Sequence, residues 1–144
     1  IIATDISKNA LNVAKENASQ LSVKNIDFKI RNFLQTNINS TFDVVVSNPP
    51  YIGSDEMDGL QKVVQDYDPK IALTDNSDGL SFYRRFAEMG KSLLNKNGFM
   101  LLEFGGAHQV EAISDIFESH PFNVKFHDDL QCNPRIVEVN LLIQ

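Results

Sequence analysis

The stretch Phe42-Asp43-Val44-Val45-Val46-Ser47-Asn48-Pro49-Pro50-Tyr51 decides how this chain reads. Its β-branched run, 42–47, predicts a buried strand that delivers the Asn48 side chain to its C-terminal tip. Two successive prolines neither continue a strand nor open an ordinary helix, so the backbone beyond Asn48 is stiff and extended. The Asn48 amide and the Pro49 carbonyl can then face one point, with the Tyr51 ring beside them. That is a small, acceptor-rich clamp for a planar NH2 group.

Working outward, the flanking segments alternate between strand and helix. Ile1 to Thr4 reads as a strand ending at Asp5, and Ser7 as the N-cap of a helix through about Leu21, with Ala10, Leu11, Ala14 and Ala18 at helical spacing. Ile26 to Ile30 reads as a second strand running into Asn32 and Phe33. Downstream, residues 51–77 are a polar insertion of the length that forms lids, binding segments or small elements. Asp78 is read as the cap of a helix to about Leu94, stopped by Asn95-Lys96-Asn97-Gly98. A strand over Phe99–Phe104, a Gly105-Gly106 turn and a helix from about Ala107 to Ser119 follow. Phe122–Phe126 and Ile136–Ile143 close the chain as strands with no helix between them, which predicts an antiparallel pair.

Strands alternating with helices predict an α/β fold whose mostly parallel sheet carries an antiparallel edge. The 144 residues fit a single domain, 1–144, with its insertion at about 51–77. The apolar strand pattern starts at the first residue without an initiator Met, which reads as a start in the middle of a fold.

Composition narrows the function classes. A formal charge of −6 argues against phosphate-backbone binding, which Lys and Arg drive. No stretch reads as a signal peptide or membrane span. A single cysteine excludes an internal disulfide and suits a reducing cytoplasm. His108, His120 and His127 have no metal-ligand spacing with one another or with Cys132, so no metal is expected.

Open α/β sheets bind ligands at the carboxyl ends of their strands, where Asp5, Asn32-Phe33 and Asn48 fall. Asp5 is placed to accept hydrogen bonds from two ribose hydroxyls, although an acid also suits a helix start for dipole reasons. Phe33 is placed to pack on an adenine, or serves as a core aromatic. Glu103, ending an apolar strand, is read as structural, and Arg135 as a partner for a carboxylate that steadies the insertion. An amide nitrogen is a poor nucleophile because its lone pair is delocalised. Two acceptors on its N–H groups would hold it and stabilise the charge developing on it. This chemistry reads as methyl transfer from S-adenosylmethionine to an amide or amine nitrogen.

The spacing from Asp5 to Phe33 to Asn48, completed by Pro49-Pro50-Tyr51, resembles the amino-group methyltransferases dependent on S-adenosylmethionine. Asp68-Pro69-Lys70-Ile71-Ala72-Leu73, Asp78-Gly79-Leu80 with Tyr83, Leu102-Glu103-Phe104-Gly105 with Gln109, and Asn133-Pro134-Arg135 follow in order. Together they resemble the HemK/PrmC family, protein-(glutamine-N5) methyltransferases of peptide-chain release factors, over nearly the whole chain. The resemblance implies a Rossmann-like class I methyltransferase sheet with an antiparallel terminal strand. It also implies cofactor contacts at Asp5, Asn32, Phe33 and Asn48, and a glutamine held by Asn48, Pro49, Pro50 and Tyr51. The implied partner is a release factor, with no nucleic acid, membrane or metal. Asn32 and Asp68 stand where the family more often has an acidic residue and a Glu. The family's first strand and Gly-rich loop lie upstream of Asp5, outside this chain. Two alternatives accompany this reading: a DNA or RNA base-amine methyltransferase using the same tetrapeptide, and a catalytically silent fragment.

Overall fold

Strand β1 (Ile2–Asp5) passes into helix α1 (Lys8–Gln20) through Ser7, whose hydroxyl accepts a hydrogen bond from the Ala10 amide. That bond satisfies one of the donors a helix start leaves open, as the sequence predicted. Leu11 and Ala18, two turns apart, are the buried side of the helix, while Ala10 is exposed. Strand β2 (Asp27–Ile30) pairs in parallel with β1, with Asp5 opposite Ile30. The Arg31 amide then donates to the Asp5 carbonyl, and the Asn32 carbonyl closes a turn by accepting from Gln35 and Thr36.

This computed structural model describes residues 1–142. Residues 1–38 form one compact unit, and a second begins at Asn39. In the second, β3 (Phe42–Ser47) leads to a segment with a short 3-10 turn (Met57–Gly59) and two short helices, α2 (Lys62–Tyr67) and α3 (Lys70–Leu73). Helices α4 (Ser81–Leu93) and α5 (Val110–Glu118) flank β4 (Leu94–Glu103), and β5 (Phe122–Asp128) and β6 (Pro134–Leu141) end the described chain. The strand order is β3-β4-β6-β5, with β3 parallel to β4 and the remaining pairs antiparallel. The predicted antiparallel terminal pair is present; the end expected at Ile143 lies outside the described residues.

Period-2 patterning builds the core of this second unit. Met100, Leu102 and Phe104 alternate along and just beyond β4, Val137 and Val139 along β6, and all five are fully buried. Tyr83 and Leu93 of α4 and Ile113 and Phe117 of α5 complete it, with Phe117 edge-on to Phe122 at 6.0 Å.

Three expectations are corrected. Val44 and Val46 are 47% and 73% exposed rather than buried, and among the described residues β3 ends the strand order of its sheet. The 95–98 cluster is part of β4: the strand runs from Leu94 to Phe99 while β3 advances only from Phe42 to Val44. Asn95 anchors this bulge by donating to Asp43 at 2.7 Å. Gly98 permits it, since a Cβ there would lie 2.6 Å from the Phe42 carbonyl oxygen.

The third correction concerns the start of α4, which is held by Asp75 rather than capped by Asp78. Asp75 Oδ1 accepts from the Ser77 and Gly79 amides and Oδ2 from Ser81. Burial opposes ionisation there, yet these hydrogen bonds outweigh it and hold the carboxyl below its ordinary value. Asp78 instead accepts from the Leu80 amide and pairs with Arg84 at 2.6 Å. The hydrogen bond from Arg84 brings the Asp78 carboxyl from an ordinary 3.8 down to about 2. A half-exposed pair of this kind is worth at most about 1 kcal/mol. Its contribution is complete above pH 3.8 and fades as pH falls from there through about 2. Asp78→Asn is therefore expected to lower stability at neutral pH by up to about 1 kcal/mol, with the deficit shrinking toward pH 2. Urea unfolding across that range checks this; a deficit that does not change with pH would assign the loss to something other than the ion pair.

Candidate active site

The predicted site residues fall in both units, and each set sits at the carboxyl end of parallel strands. In the first unit Asp5 ends β1, and Asn32 and Phe33 follow the end of its partner β2. Asp5 is exposed; its Oδ1 accepts from the Ser7 amide at 2.7 Å. The helix-start role and the ligand role are therefore compatible, because one carboxylate carries two acceptor oxygens. The Asn32 Oδ1 accepts from the Leu34 amide at 3.1 Å, which turns its NH2 group into the end left for a ligand. Phe33 is half-buried.

In the second unit the tip of β3 carries the tetrapeptide. Asn48 is exposed and makes no side-chain hydrogen bond among the described residues, while Pro49 beside it is buried. A cleft of about 280 Å³ opens here, lined by Asn48, Pro49, Tyr51, Ile52, Ala72 and Leu73. That volume lies just below the range that takes a drug-sized ligand and leaves room for a side chain. Ala72 and Leu73 come from α3 and its end. The wall they form is tied to the tetrapeptide by the Ile52 amide, which donates to the Leu73 carbonyl at 3.0 Å, and by a parallel bridge between Ile52 and Thr74.

Register brings the end of β4 and the start of β6 to the same edge, with Ser47 opposite Leu102 and Glu103 opposite Ile136. Glu103 there accepts from the Tyr51 hydroxyl at 3.3 Å, and its carbonyl accepts from the Tyr83 hydroxyl at 2.5 Å. Burial raises the Tyr51 phenol above its ordinary value; the Glu103 carboxylate adds to this and Arg135 opposes it. Burial likewise drives the Tyr83 phenol far up, so both hydroxyls stay protonated donors at neutral pH. Glu103 is thus structural, as read, with a direct hold on Tyr51. Arg135 lies 3.8 Å from the Asp129 carboxylate and donates to the Phe104 and Gly105 carbonyls, so it braces the exit of β4 while also acting on the Tyr51 hydroxyl.

Two features escaped the sequence reading. Ala72 and Leu73 were visible as part of a motif, but nothing in one sequence marks them as a cleft wall. Gln109, likewise visible only as a motif residue with no role, is buried at 4% exposure and bonds to the Tyr51 carbonyl, a contact spanning 58 positions. Among the described residues no group of three or more His, Cys, Asp or Glu is placed to hold a metal ion, and no helix is long and apolar enough to cross a membrane.

The family model for the Eco57I restriction-modification methylases matches residues 2–102. The chain belongs to this methylase family. The resemblance to HemK/PrmC proteins is also borne out. A release factor glutamine methyltransferase from Clostridium acetobutylicum is 37% identical over 142 residues, 95% of this chain and 49% of that protein. A bifunctional methyltransferase from Rickettsia bellii is 38% identical over 99% of this chain and 26% of its own length. The chain thus spans about half of the first relative and about a quarter of the second. A solved methyltransferase from Pyrococcus furiosus superposes with a TM-score of 0.68 at 18% identity, covering 98% of this chain and 61% of that one. The fold is the Rossmann-like class I methyltransferase fold.

Proposed function

We propose that this chain belongs to an enzyme that transfers a methyl group from S-adenosylmethionine to the side-chain amide nitrogen (N5) of a glutamine. The substrate is the glutamine of the Gly-Gly-Gln motif in a peptide-chain release factor, and the setting is the cytoplasm. The observation that carries this reading is Asn48, exposed and uncommitted above a cleft with room for a side chain. The name of the Clostridium acetobutylicum relative supports the choice of substrate.

The residues fit the cofactor's chemistry. Asp5 has a carboxylate oxygen for ribose hydroxyls, the Asn32 NH2 group suits a ring nitrogen of adenine, and Phe33 offers it a flat face. The bound cofactor supplies an electrophilic methyl group on a sulfonium. Asn48 Oδ1 and the Pro49 carbonyl accept the two N–H groups of the substrate amide, orient its nitrogen and offset the positive charge that grows on it. Tyr51 stacks on the amide plane, with a ring face that tolerates the neighbouring sulfonium charge. The methylated nitrogen is acidic and releases its proton to solvent, so no strong base is needed.

Asp5→Ala is expected to weaken S-adenosylhomocysteine binding about 10- to 100-fold, the scale of a hydrogen bond to a charged group. Titration calorimetry checks it, and an unchanged affinity would count against the ribose assignment.

The restriction-modification name of the matching family supports a second reading, methylation of a base amine in nucleic acid. The charge of −6 opposes it, because such an enzyme needs a basic groove and a flipped base. A labelled-methyl assay offering the protein a release factor and nucleic acid in parallel separates the two. Label in the release factor is expected; label in nucleic acid alone would overturn the proposal.

A further inference from the structure

We propose that Gln109 is a positioning residue that sets the Tyr51–Ile52 peptide, and through it the Tyr51 ring and the width of the substrate cleft. The inference rests on the reading that residues 48–51 hold the substrate amide. It starts from a buried primary amide with both ends committed. Gln109 Oε1 accepts from the Gly105 amide at 2.8 Å, and Nε2 donates to the Tyr51 carbonyl at 2.8 Å. The side chain therefore has one permitted orientation: reversing it would set N–H against N–H and oxygen against oxygen.

The peptide unit it grips is held on its other side as well. The Ile52 amide, in the same plane as the Tyr51 carbonyl, donates to Leu73 in the cleft wall. Fixing the carbonyl thus fixes the distance between the tetrapeptide and that wall. Gly79 packs against the same point. Its φ of +77° lets the chain approach so closely that a Cβ would lie 2.3 Å from the Tyr51 oxygen and 3.1 Å from Gln109 Nε2. Glu103 accepts from the hydroxyl at the other end of Tyr51. Tyr51 is consequently held at its carbonyl and at its ring tip by groups from separate segments. None of these partners needs to touch the substrate.

Gln109→Glu distinguishes positioning from mere packing, since it keeps size and shape. Ionised, the new carboxylate turns an oxygen toward the Tyr51 carbonyl and repels it. Protonated, it restores both bonds, accepting from Gly105 and donating its O–H to Tyr51. Burial raises the pKa of such a group, so the switch occurs within a usable pH range. The experiment measures methyl transfer to a release factor by the unsubstituted protein, Gln109→Glu and Gln109→Met. Above the pH at which the new carboxyl titrates, both variants are expected to lose at least about tenfold in kcat, with KM for S-adenosylmethionine within about twofold, the scale of one lost positioning contact. As pH falls, kcat of Gln109→Glu relative to the unsubstituted protein should recover along a single titration, while Gln109→Met stays low. A pH-independent ratio for Gln109→Glu, or unsubstituted kcat in either folded variant, would overturn the proposal. If the unsubstituted protein methylates no release factor, the substrate reading fails instead. Gln109 is then judged by NMR of the Tyr51 ring in the same proteins: signals that shift with the pH switch sustain it, and unchanged signals overturn it.

Discussion

Replacing Asn48 with alanine is expected to lower methyl transfer by about 10²- to 10³-fold, the usual cost of deleting one preorganised polar group at a reacting centre. The loss should appear mainly in kcat. Asn48 projects from the end of β3, is exposed and holds up no neighbouring backbone, so its removal leaves fold stability within about 0.5 kcal/mol. A close isostere tests which part of the amide matters. Asn48→Asp keeps an oxygen at the same place and puts a full negative charge beside the nitrogen that becomes positive. It also sets a second oxygen where an NH2 donor stood. Asn48→Asp is therefore expected to retain more activity than Asn48→Ala and less than the unsubstituted protein. Single-turnover transfer from labelled S-adenosylmethionine to a release factor, with S-adenosylhomocysteine affinity measured alongside, checks both variants. Near-normal turnover by Asn48→Ala would remove this residue from the chemistry.

The second large effect concerns stability. Phe104→Ala is expected to destabilise the protein by about 3–5 kcal/mol, the range for emptying a large aromatic site in a closed core. Phe104 is fully buried and meets Phe126 edge-to-face, with ring centroids 5.6 Å apart at 79°. Its backbone contacts survive the substitution: its amide still donates to the Arg135 carbonyl, and its carbonyl still accepts from the Arg135 guanidinium. The loss is therefore one of packing, and the neighbouring strands are poorly able to close the gap because they are pinned in register with each other. Phe104→Leu, which refills much of the space, should recover more than half of the deficit. Urea unfolding of the three proteins tests the series. A deficit below about 1 kcal/mol for Phe104→Ala would mean that the site collapses and that the core is less closed than the burial indicates.

Gln109 and Asn48 differ in how their roles are legible. Asn48 stands out because two prolines and a valine run leave it one place to be, at a strand tip. Gln109 is legible in the sequence only as one residue of an ordered motif, with no role attached to it. Its importance depends on Tyr51, which reaches it only when β3 and β4 pair side by side and bring their carboxyl ends to one edge. The start of α4 follows the same logic on a smaller scale. Asp78 has the right type and position for a cap, yet Gly79 in the left-handed region turns the chain so that Asp75 receives the first helical amide. A helix-cap rule counts positions and cannot register that turn.

By itself the sequence determined what short-range physics controls. Alternation and helical spacing set which segments become strands and helices, Ser7 set where α1 begins, and the prolines after Asn48 set a stiff end on β3. The direct run between the last two strands set their antiparallel pairing. Tertiary structure alone decided that residues 95–98, just past the end of α4, bulge within β4, and that Arg135 grips the exit of β4. It also decided which groups hold Tyr51. The physical reason is common to all of these. Each turns on hydrogen bonds and close contacts between segments far apart in the chain, whose partners are chosen by strand order and register, and neither quantity is written into any local window of residues.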